Sequence, residues 1–302
     1  MSKYYSVSLT LFISLFHAIL LPKECNSQMI PSLRAVHAKK GSSLPEQSSS
    51  LTFDGSNDKV TTNLSMNNWS AFTYEVWVYP ESSGSREGVV GHNDIIEFGF
   101  NPANRIHFWT AKGSQVNWNF NSSTLPYNTW HHIVGVGDGT ANSNNLKIYV
   151  NGVLKAEGGS APSSDHYGSA NYSVNIGAGA YDPLNSTQYY DGNLDEIRIW
   201  NSARTLEEIK SNMFKQLEGN ESNLQAYFKM SSASGTTLVD NSPNSYDGTI
   251  SGASWGTNYV PLGDLLTAYQ TDMEGLWEAS GTTASQESDG LSMSVSSTLA
   301  EA

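Results

Sequence analysis

The segment Gly192–Ile209 (GNLDEIRIWNSARTLEEI) constrains the fold more than any other part of this sequence. Its first half alternates between apolar and charged side chains, so that Ile197 and Ile199 fall on one face. Glu196 and Arg198 fall on the other face. This period of two residues predicts a half-buried β-strand. An acidic residue, Asp195, stands at the head of that strand.

The second half of this segment changes character and predicts a helix over Thr205–Lys215. Asn201 or Ser202 could cap that helix. Glu207 and Glu208 would lie in its first turn, where carboxylates interact favourably with the helix dipole. No other part of the sequence shows a comparable helical pattern, so the pairing of a strand with one short helix indicates a mainly β protein.

From Leu51 onward, short apolar stretches are separated by Gly- and Asn-rich turn signals. The strongest of these signals is Asn151-Gly152, which stands between LKIYV and VLKAE and predicts a two-residue hairpin turn. Strands do not alternate with helices, which argues against a parallel sheet. The sequence therefore predicts an all-β fold whose strands pair in antiparallel sheets.

Composition and charge narrow the possible partners. Only 15% of the 302 residues are charged, and the formal net charge is -13. An acidic surface disfavours nucleic acid and anionic membranes, so we expect no nucleic acid partner. An excess of carboxylates suits calcium in an extracellular setting.

The N-terminus resembles an export signal. Lys3 precedes an apolar run, Val7–Leu21, that is too short to cross a bilayer comfortably. Cleavage after Ser27 would remove the single Cys25 and would leave a mature chain without disulfides. We therefore expect a secreted or cell-surface protein with a signal peptide over 1–27, a Ser-rich linker over 28–47, and no transmembrane anchor in the mature chain.

Five segments, taken together, resemble a known family. In order along the chain they are LTFDGSNDKV, FTYEVWVYP, NTWHHIVGVGDG, LKIYVNGVLKA and GNLDEIRIWNSARTLEEI. They resemble laminin-G-like jelly rolls of the concanavalin A-like lectin/glucanase superfamily over about residues 48–216. The resemblance implies a two-sheet antiparallel jelly-roll sandwich with one short C-terminal helix. Residues 217–260 would be a small flanking segment, a strand and an Asp-rich loop packed on the sandwich. Residues 261–302 would be a linker or the start of a truncated further domain.

The same resemblance implies a calcium site. In the family, an acidic residue after the first strand and one heading the last strand often lie together, which here would be Asp54 and Asp195. Asn57 would contribute from the intervening turn, since calcium needs six to eight oxygen ligands. The alternative is that Asp54 only builds an Asp-Gly turn and that Asp195 pairs with Arg198 or caps a loop.

A second oxygen-rich cluster lies in the flanking segment. Asp240 and Asp247 bracket two asparagines at a spacing that resembles a metal loop but misses the EF-hand pattern. Turn chemistry explains the cluster equally well.

Aromatic residues suggest where a sugar could bind, because a pyranose stacks its apolar face on Trp or Tyr. In Arg105–Thr110, His107 and Trp109 share the face opposite the apolar pair, so they form a candidate platform on the outside of a sheet. Tyr181, Tyr189 and Tyr190 precede the last strand and could form the rim of a site. Otherwise they are ordinary aromatics of a Tyr-rich loop.

No catalytic constellation is evident. Glycoside hydrolysis needs two carboxylates on either side of one bond. Asp94 and Glu97 lie three residues apart, which on a strand places them on opposite faces, and the adjacent Asp195 and Glu196 diverge in the same way. We therefore expect an exported, non-catalytic module that binds a glycan or a cell-surface partner and is stabilised by Ca²⁺. The alternatives are a glycoside hydrolase or polysaccharide lyase of the same superfamily, and a ligand-free spacer in a surface adhesin.

Overall fold

The structure is a computed structural model that describes residues 49–262 except 83–85, 103, 113, 161, 163–164, 180–187 and 261. The predicted signal peptide (1–27) and linker (28–47) lie outside the described residues, as does all of 261–302 except Leu262. Among the described residues, no helix is long and apolar enough to cross a membrane.

The described chain contains strands throughout and one helix. In chain order the elements are β1 (Ser50–Asp54), β2 (Lys59–Thr61), β3 (Ala71–Pro80), β4 (Glu87–His92), β5 (Ile96–Asn101), β6 (Arg105–Thr110), β7 (Gln115–Asn119), β8 (His131–Asp138), β9 (Ser143–Val150), β10 (Val153–Ser160), β11 (Val174–Ile176), β12 (Asp191–Trp200), α1 (Leu206–Asn212), β13 (Leu224–Phe228), β14 (Thr237–Leu238), β15 (Gly248–Ser251) and β16 (Ser254–Gly256).

Two eight-stranded antiparallel sheets pack face to face, which confirms the predicted fold class. Sheet A has the order β10-β9-β8-β3-β12-β1-β16, and β13 also pairs with β12. Sheet B has the order β14-β15-β2-β11-β4-β5-β6-β7. The edge strands β7 and β10 meet along one side, where the Lys155 ammonium lies 5.4 Å from the centre of the Trp118 ring.

The core lies between the sheets because each strand turns alternate side chains inward. In sheet B, Val90, Phe98, Phe108 and Val116 stand opposite one another on four neighbouring strands, and all four are buried. Phe108 meets Phe72 of sheet A edge to face, with the ring centres 5.6 Å apart. The residues between these inward positions therefore point to the outer face of sheet B.

The predicted hairpin is present. Val150 of β9 pairs with Val153 of β10, and Asn151 and Gly152 between them have φ angles of 51° and 70°. Two successive positive φ values are the geometry of a two-residue turn that suits the twist of the strands, and Asn-Gly adopts it at little cost. The Asn151 side chain further accepts a hydrogen bond from the His132 backbone nitrogen at 2.9 Å.

Helix α1 covers the outer face of sheet A and begins at a different residue from the one expected. Thr205, rather than Asn201 or Ser202, is the N-cap, and with Glu208 it forms a reciprocal capping box. Ile209 is fully buried in a cluster with Val134 and Tyr149 of sheet A, so the helix is held by its one apolar face.

A β-bulge in β12 corrects the expectation that Asp195 and Glu196 diverge. Two residues of β12 stand opposite Val76 of β3, and Glu196 has a φ of 49°. The extra residue keeps Leu194 and Ile197 both in the core and turns Asp195 and Glu196 to the same outer side. The regular alternation of side chains between the two faces of a strand therefore does not hold at Glu196.

The segment after Gly219 is part of both sheets. Strand β13 continues the pairing with β12 beyond the end of β1, and β16 pairs with β1 at the edge of sheet A. Strands β14 and β15 extend sheet B beyond β2. The flanking segment thus completes the sandwich, which is closer integration than the sequence suggested.

Candidate functional site

A cleft of about 440 Å³ opens on the outer face of sheet B, over β5, β6 and β7. Its polar lining contains one indole ring among charged and amide side chains. The residues that line it are Arg86, Asp94, Glu97, Asn101, His107, Trp109 and Gln115.

The pairing of the strands places the central residues of the cleft side by side. Trp109 of β6 stands opposite Glu97 of β5 on one side and Gln115 of β7 on the other. Directly opposed residues in a sheet hold their side chains about 5 Å apart at Cβ and on the same face. The indole of Trp109 is therefore flanked by one carboxylate and one amide, both able to hydrogen-bond to a ligand that lies on the ring.

His107 lies two residues before Trp109 and completes this row of polar groups. Its ring Nδ1 is 2.7 Å from the side-chain oxygen of Asn117, which stands opposite it on β7. Burial lowers the pKa of His107, although the contact with Asn117 opposes that effect. A neutral ring that donates from Nδ1 to Asn117 leaves Nε2 as an acceptor.

Glu97 is the buried carboxylate of the cleft and is paired with Arg86. The Arg86 guanidinium donates to Glu97 Oε2, while Glu97 Oε1 accepts from the Asp94 backbone nitrogen at 3.4 Å. Burial raises the pKa of Glu97, and the charge of Arg86 acts in the opposite direction. Arg86 is itself more than one-third exposed, and it also lines the cleft.

The expectation that Asp94 and Glu97 lie on opposite faces is wrong, because both side chains line this cleft. Asp94 precedes β5 in a turn and has a φ of 62°, so the alternation of an extended strand does not apply to it. The charge of Asp94 contributes to the raised pKa of Glu97. The cleft thus contains two carboxylates with different environments.

The tyrosines expected to form a rim do not lie in this cleft. Tyr190 is fully buried in the core, where its ring lies against Phe53 and Phe100 with centres 6.1 and 6.2 Å away. Tyr189 is 8% exposed and does not line the cleft. Tyr181 lies outside the described residues.

The structure does not bring Asp54 and Asp195 together. Asp54 stands opposite Asp191, and Leu51 stands opposite Leu194, so the two carboxylates are about four residues, or roughly 13 Å, apart along the paired strands. Asp195 is fully buried, and its two oxygens accept backbone hydrogen bonds from Glu196 and Val260 at 2.8 and 2.9 Å. A calcium ion shared by these two residues therefore does not fit.

Near Asp54, the exposed turn is held by its own hydrogen bonds. The Asp54 carboxylate accepts from the Ser56 nitrogen, and Asp58 accepts from the Asp54 nitrogen, both at 2.9 Å. Asn57 is exposed on the same turn. Among the described residues, no group of three His, Cys, Asp or Glu side chains is arranged to hold a metal ion. Calcium binding at this turn stays a prediction.

Asp240 and Asp247 organise a loop instead of presenting free oxygens. The Asp240 carboxylate accepts four hydrogen bonds of 2.8–2.9 Å, from the backbone nitrogens of Tyr227, Ser242 and Tyr246 and from the Ser242 hydroxyl. Asp247 accepts from the Asp240 nitrogen at 2.8 Å. Because these donors occupy the lone pairs that a cation would need, turn chemistry accounts for this cluster.

The outer face of sheet A contains a second group of charges, which is closed to solvent. Arg198 donates to Glu196 at 2.8 Å, and its guanidinium lies 3.7 Å from Glu75. Glu75 is also 3.1 Å from Arg204 and 3.5 Å from His132. The Glu75, Glu196, Arg198 and His132 side chains have no solvent exposure.

The end of α1 and the chain after it close this group. Arg198 donates to the carbonyl oxygen of Asn212 at 2.8 Å and also to that of Lys215. The Tyr227 hydroxyl donates to Glu196 at 2.6 Å. The attraction of Arg198, Arg204 and His132 lowers the pKa of Glu75 despite its complete burial. This group is therefore a structural network without access for a ligand.

Sequence reasoning missed Arg86, Asn101 and Gln115 as lining residues and weighed Glu97 only as a catalyst. One signal was available, because the Asn101–Arg105 stretch (NPANR) is rich in turn formers, and Asn104 has a φ of 55°. A hairpin placed there pairs Asn101 with Arg105, and the register then brings Glu97 opposite Trp109. Arg86 precedes β4 and carries no comparable signal.

Comparisons with known proteins agree with this architecture. A laminin G family model, described as concanavalin A-like lectin/glucanases superfamily, matches residues 54–210, which is more than half of the chain. A search of the curated proteins found no match.

Among solved structures, a candidate carbohydrate binding protein from Bacteroides ovatus is similar, with a TM-score of 0.57 and 21% identity. The match covers 70% of this chain and 60% of that protein. The extracellular region of zebrafish Gpr126 matches with a TM-score of 0.45 and 17% identity, over 70% of this chain and 26% of that one. Domain 4 of AbnA, an extracellular arabinanase from Geobacillus stearothermophilus in complex with arabinotriose, matches with a TM-score of 0.39 and 17% identity, over 54% and 75%.

Proposed function

The chain belongs to the concanavalin A-like lectin/glucanases superfamily, and we propose that it is a non-catalytic module that binds carbohydrate in the cleft over β5, β6 and β7. The superfamily includes both lectins and enzymes, so its fold does not select between these functions. The proposal rests on the side chains of the cleft.

The observation that carries it is the position of Trp109 between Glu97 and Gln115 on three adjacent strands. A half-buried indole offers an apolar face for a pyranose ring, and the carboxylate and amide beside it can bind the hydroxyl groups at the edge of that ring. The strands are rigid elements, so these groups are positioned before a ligand arrives, which reduces the entropy cost of binding.

Charge favours a neutral sugar. Arg86 neutralises Glu97, the exposed Asp94 adds a negative charge to the cleft, and the whole chain has a net charge of -13. An anionic ligand would approach against this field. The similar Bacteroides ovatus structure, itself a candidate carbohydrate binding protein, is consistent with a glycan ligand but shares only 21% identity.

A glycan array tests the proposal with the wild type and two aromatic variants. Trp109→Ala removes the stacking surface, and Tyr259→Ala removes an aromatic that is 37% exposed and does not line the cleft. We expect Trp109→Ala to weaken binding of the best glycan about 30-fold, which corresponds to a hot spot of about 2 kcal/mol, and Tyr259→Ala to leave it unchanged. Absence of binding by the wild type to every glycan would contradict the proposal and favour a spacer.

One observation favours a second candidate, a glycoside hydrolase that uses the same cleft. Glu97 has a raised pKa and Asp94 lies exposed beside it, which is the division of roles between a general acid and a second carboxylate. The ion pair between Glu97 and Arg86 opposes this function, because it stabilises the ionised form of the acid. Release of reducing ends from a polysaccharide panel by the wild type, and its loss in Glu97→Gln with binding retained, would establish the enzyme.

We also propose that the protein is secreted or displayed at the cell surface. The support is the apolar run Val7–Leu21 after Lys3, together with the extracellular setting typical of laminin G-like domains. Fractionation of the native host tests this directly. Recovery of the protein only from the cytosol would contradict it.

A further inference from the structure

The cleft is bounded on one side by backbone. Gly91 of β4 stands opposite Glu97, on the same face as the cleft residues. A side chain at Gly91 would collide with the carbonyl oxygen of Gly179, because the chain that follows β11 lies against the outside of β4. One step along the sheet, a side chain at Gly99 would collide with the carbonyl oxygen of Glu87, where a bulge brings β4 over β5.

Backbone hydrogen bonds hold this wall in place. Gly177 donates to Val89 at 2.8 Å, Gly179 donates to Gly88 at 3.0 Å, and Gly88 donates to Gln188 at 2.9 Å. The wall therefore consists of paired main chain and cannot swing aside like an exposed side chain. A ligand that crosses the strands from β7 towards β4 must end here.

The floor that remains is short. From β5 to β7 it spans two strand spacings, about 10 Å. A cleft of about 440 Å³ is near the small end of the range for sites that enclose a compact ligand. Each sugar ring that stacks on a binding surface needs an aromatic face of its own. Among the described residues of this lining, Trp109 is the one indole or phenyl platform.

From these observations we infer that the site recognises the end of a glycan, holding one terminal sugar ring on Trp109 and at most its immediate neighbour. The inference rests on the proposed function and specifies the class of ligand. The wall over Gly91 and Gly99 stops the terminal ring, and the polar side chains beside Trp109 bind its hydroxyl groups. The interior of a long polysaccharide chain would lack a path past β4.

Calorimetric titration with oligosaccharide ladders tests this class of ligand. The probes are gluco-, manno-, xylo- and galacto-oligosaccharides of one to six units, chosen according to the array result, and the full chain is used. We expect the affinity per oligosaccharide molecule to rise from the monosaccharide to the disaccharide and then to change less than about twofold. A further increase of tenfold or more from two to six units would overturn the inference while leaving carbohydrate binding intact.

End-modified ligands give a second test that needs no protein variant. One hexasaccharide is reduced to the alditol at its reducing end, and another has the hydroxyls of its non-reducing terminal ring methylated. We expect one of the two changes to weaken binding at least tenfold and the other to have little effect. Equal binding of both modified ligands and the parent would overturn end recognition. Failure of every ligand to bind would overturn both this inference and the proposed function.

Discussion

The two sheets carry similar polar groups on their outer faces and use them in opposite ways. Each face has an Arg–Glu pair and a histidine: Arg198 and Glu196 with His132 on sheet A, and Arg86 and Glu97 with His107 on sheet B. Helix α1 and the chain after it cover the first group completely, whereas the second lines an open cleft. The difference shows that similar residue types form a structural network where a helix covers them and a candidate binding site where they stay open to solvent.

The largest expected effect is on stability and compares the two arginines. Arg198→Met leaves Glu196 buried without its paired guanidinium and takes one of two nearby arginines from Glu75, and we expect it to lower the free energy of unfolding by about 3–5 kcal/mol. Arg86→Met removes the partly exposed member of its pair, and since Glu97 lies in an open cleft, we expect a smaller loss of about 1 kcal/mol. Urea unfolding of both variants measures the difference, and equal losses would break the comparison.

The free energy of unfolding should fall at acid pH, because a buried histidine takes up a proton less readily than the same residue in the unfolded chain. His92 is buried and accepts a hydrogen bond from the Met66 nitrogen at 3.1 Å, and burial lowers its pKa from 6.5 to about 4. The unfolded chain therefore takes up this proton first as the pH falls. Stability is lost between about pH 6.5 and pH 4, by up to about 3 kcal/mol from this group.

The variant His92→Gln isolates that effect, because glutamine can accept the same hydrogen bond and does not titrate in this range. We expect its free energy of unfolding to fall less steeply with acidification than that of the wild type. Glu97 and Glu196 have raised pKa values and act in the opposite direction above pH 4.5, but they are common to both proteins. Parallel pH profiles for the two proteins would contradict this assignment.

How far the sequence could predict these results depends on whether local rules apply. Alternation in β6 correctly directs Trp109 and His107 outward, and the Asn151-Gly152 turn fixes one hairpin. Alternation fails at Glu196, where a bulge adds a residue, and at Asp94, which lies in a turn.

The remaining differences depend on long-range contacts that no local pattern contains. Tyr190 packs in the core against the rings of Phe53 and Phe100, which are distant from it in sequence. The Asp195 carboxylate accepts a hydrogen bond from the backbone nitrogen of Val260, which lies 65 residues further along the chain. The family resemblance gave the fold, but it did not carry information on which carboxylates remain free for a ligand.

A smaller effect is expected at Asp195, which sharpens the distinction between a structural carboxylate and a calcium ligand. Asp195→Asn replaces an acceptor of a buried backbone hydrogen bond, and we expect a loss of about 1–3 kcal/mol. The loss should be the same in excess calcium and in EGTA. A wild-type melting temperature that falls in EGTA, with no such fall in the variant, would instead make Asp195 a calcium ligand.

The smallest expected effect on stability concerns helix α1, which covers the outer face of sheet A. Thr205→Ala removes the N-cap of α1 and should cost about 1 kcal/mol. Because α1 covers only sheet A, we expect amide exchange to increase at Val134 and Val136 and to stay unchanged at Phe98 and Phe108. Uniform acceleration across both sheets would mean that the two faces are not independent.

The most direct measurement of the central claim is a glycan titration followed through the indole N–H signals in ¹H–¹⁵N spectra, assigned by single Trp→Phe variants. Trp109 lines the open cleft, whereas Trp77 and Trp200 are buried on the covered face of sheet A. We predict that the Trp109 signal shifts with the added oligosaccharide while the Trp77 and Trp200 signals do not move. Shifts at Trp77 or Trp200 with an unmoved Trp109 signal would contradict the account.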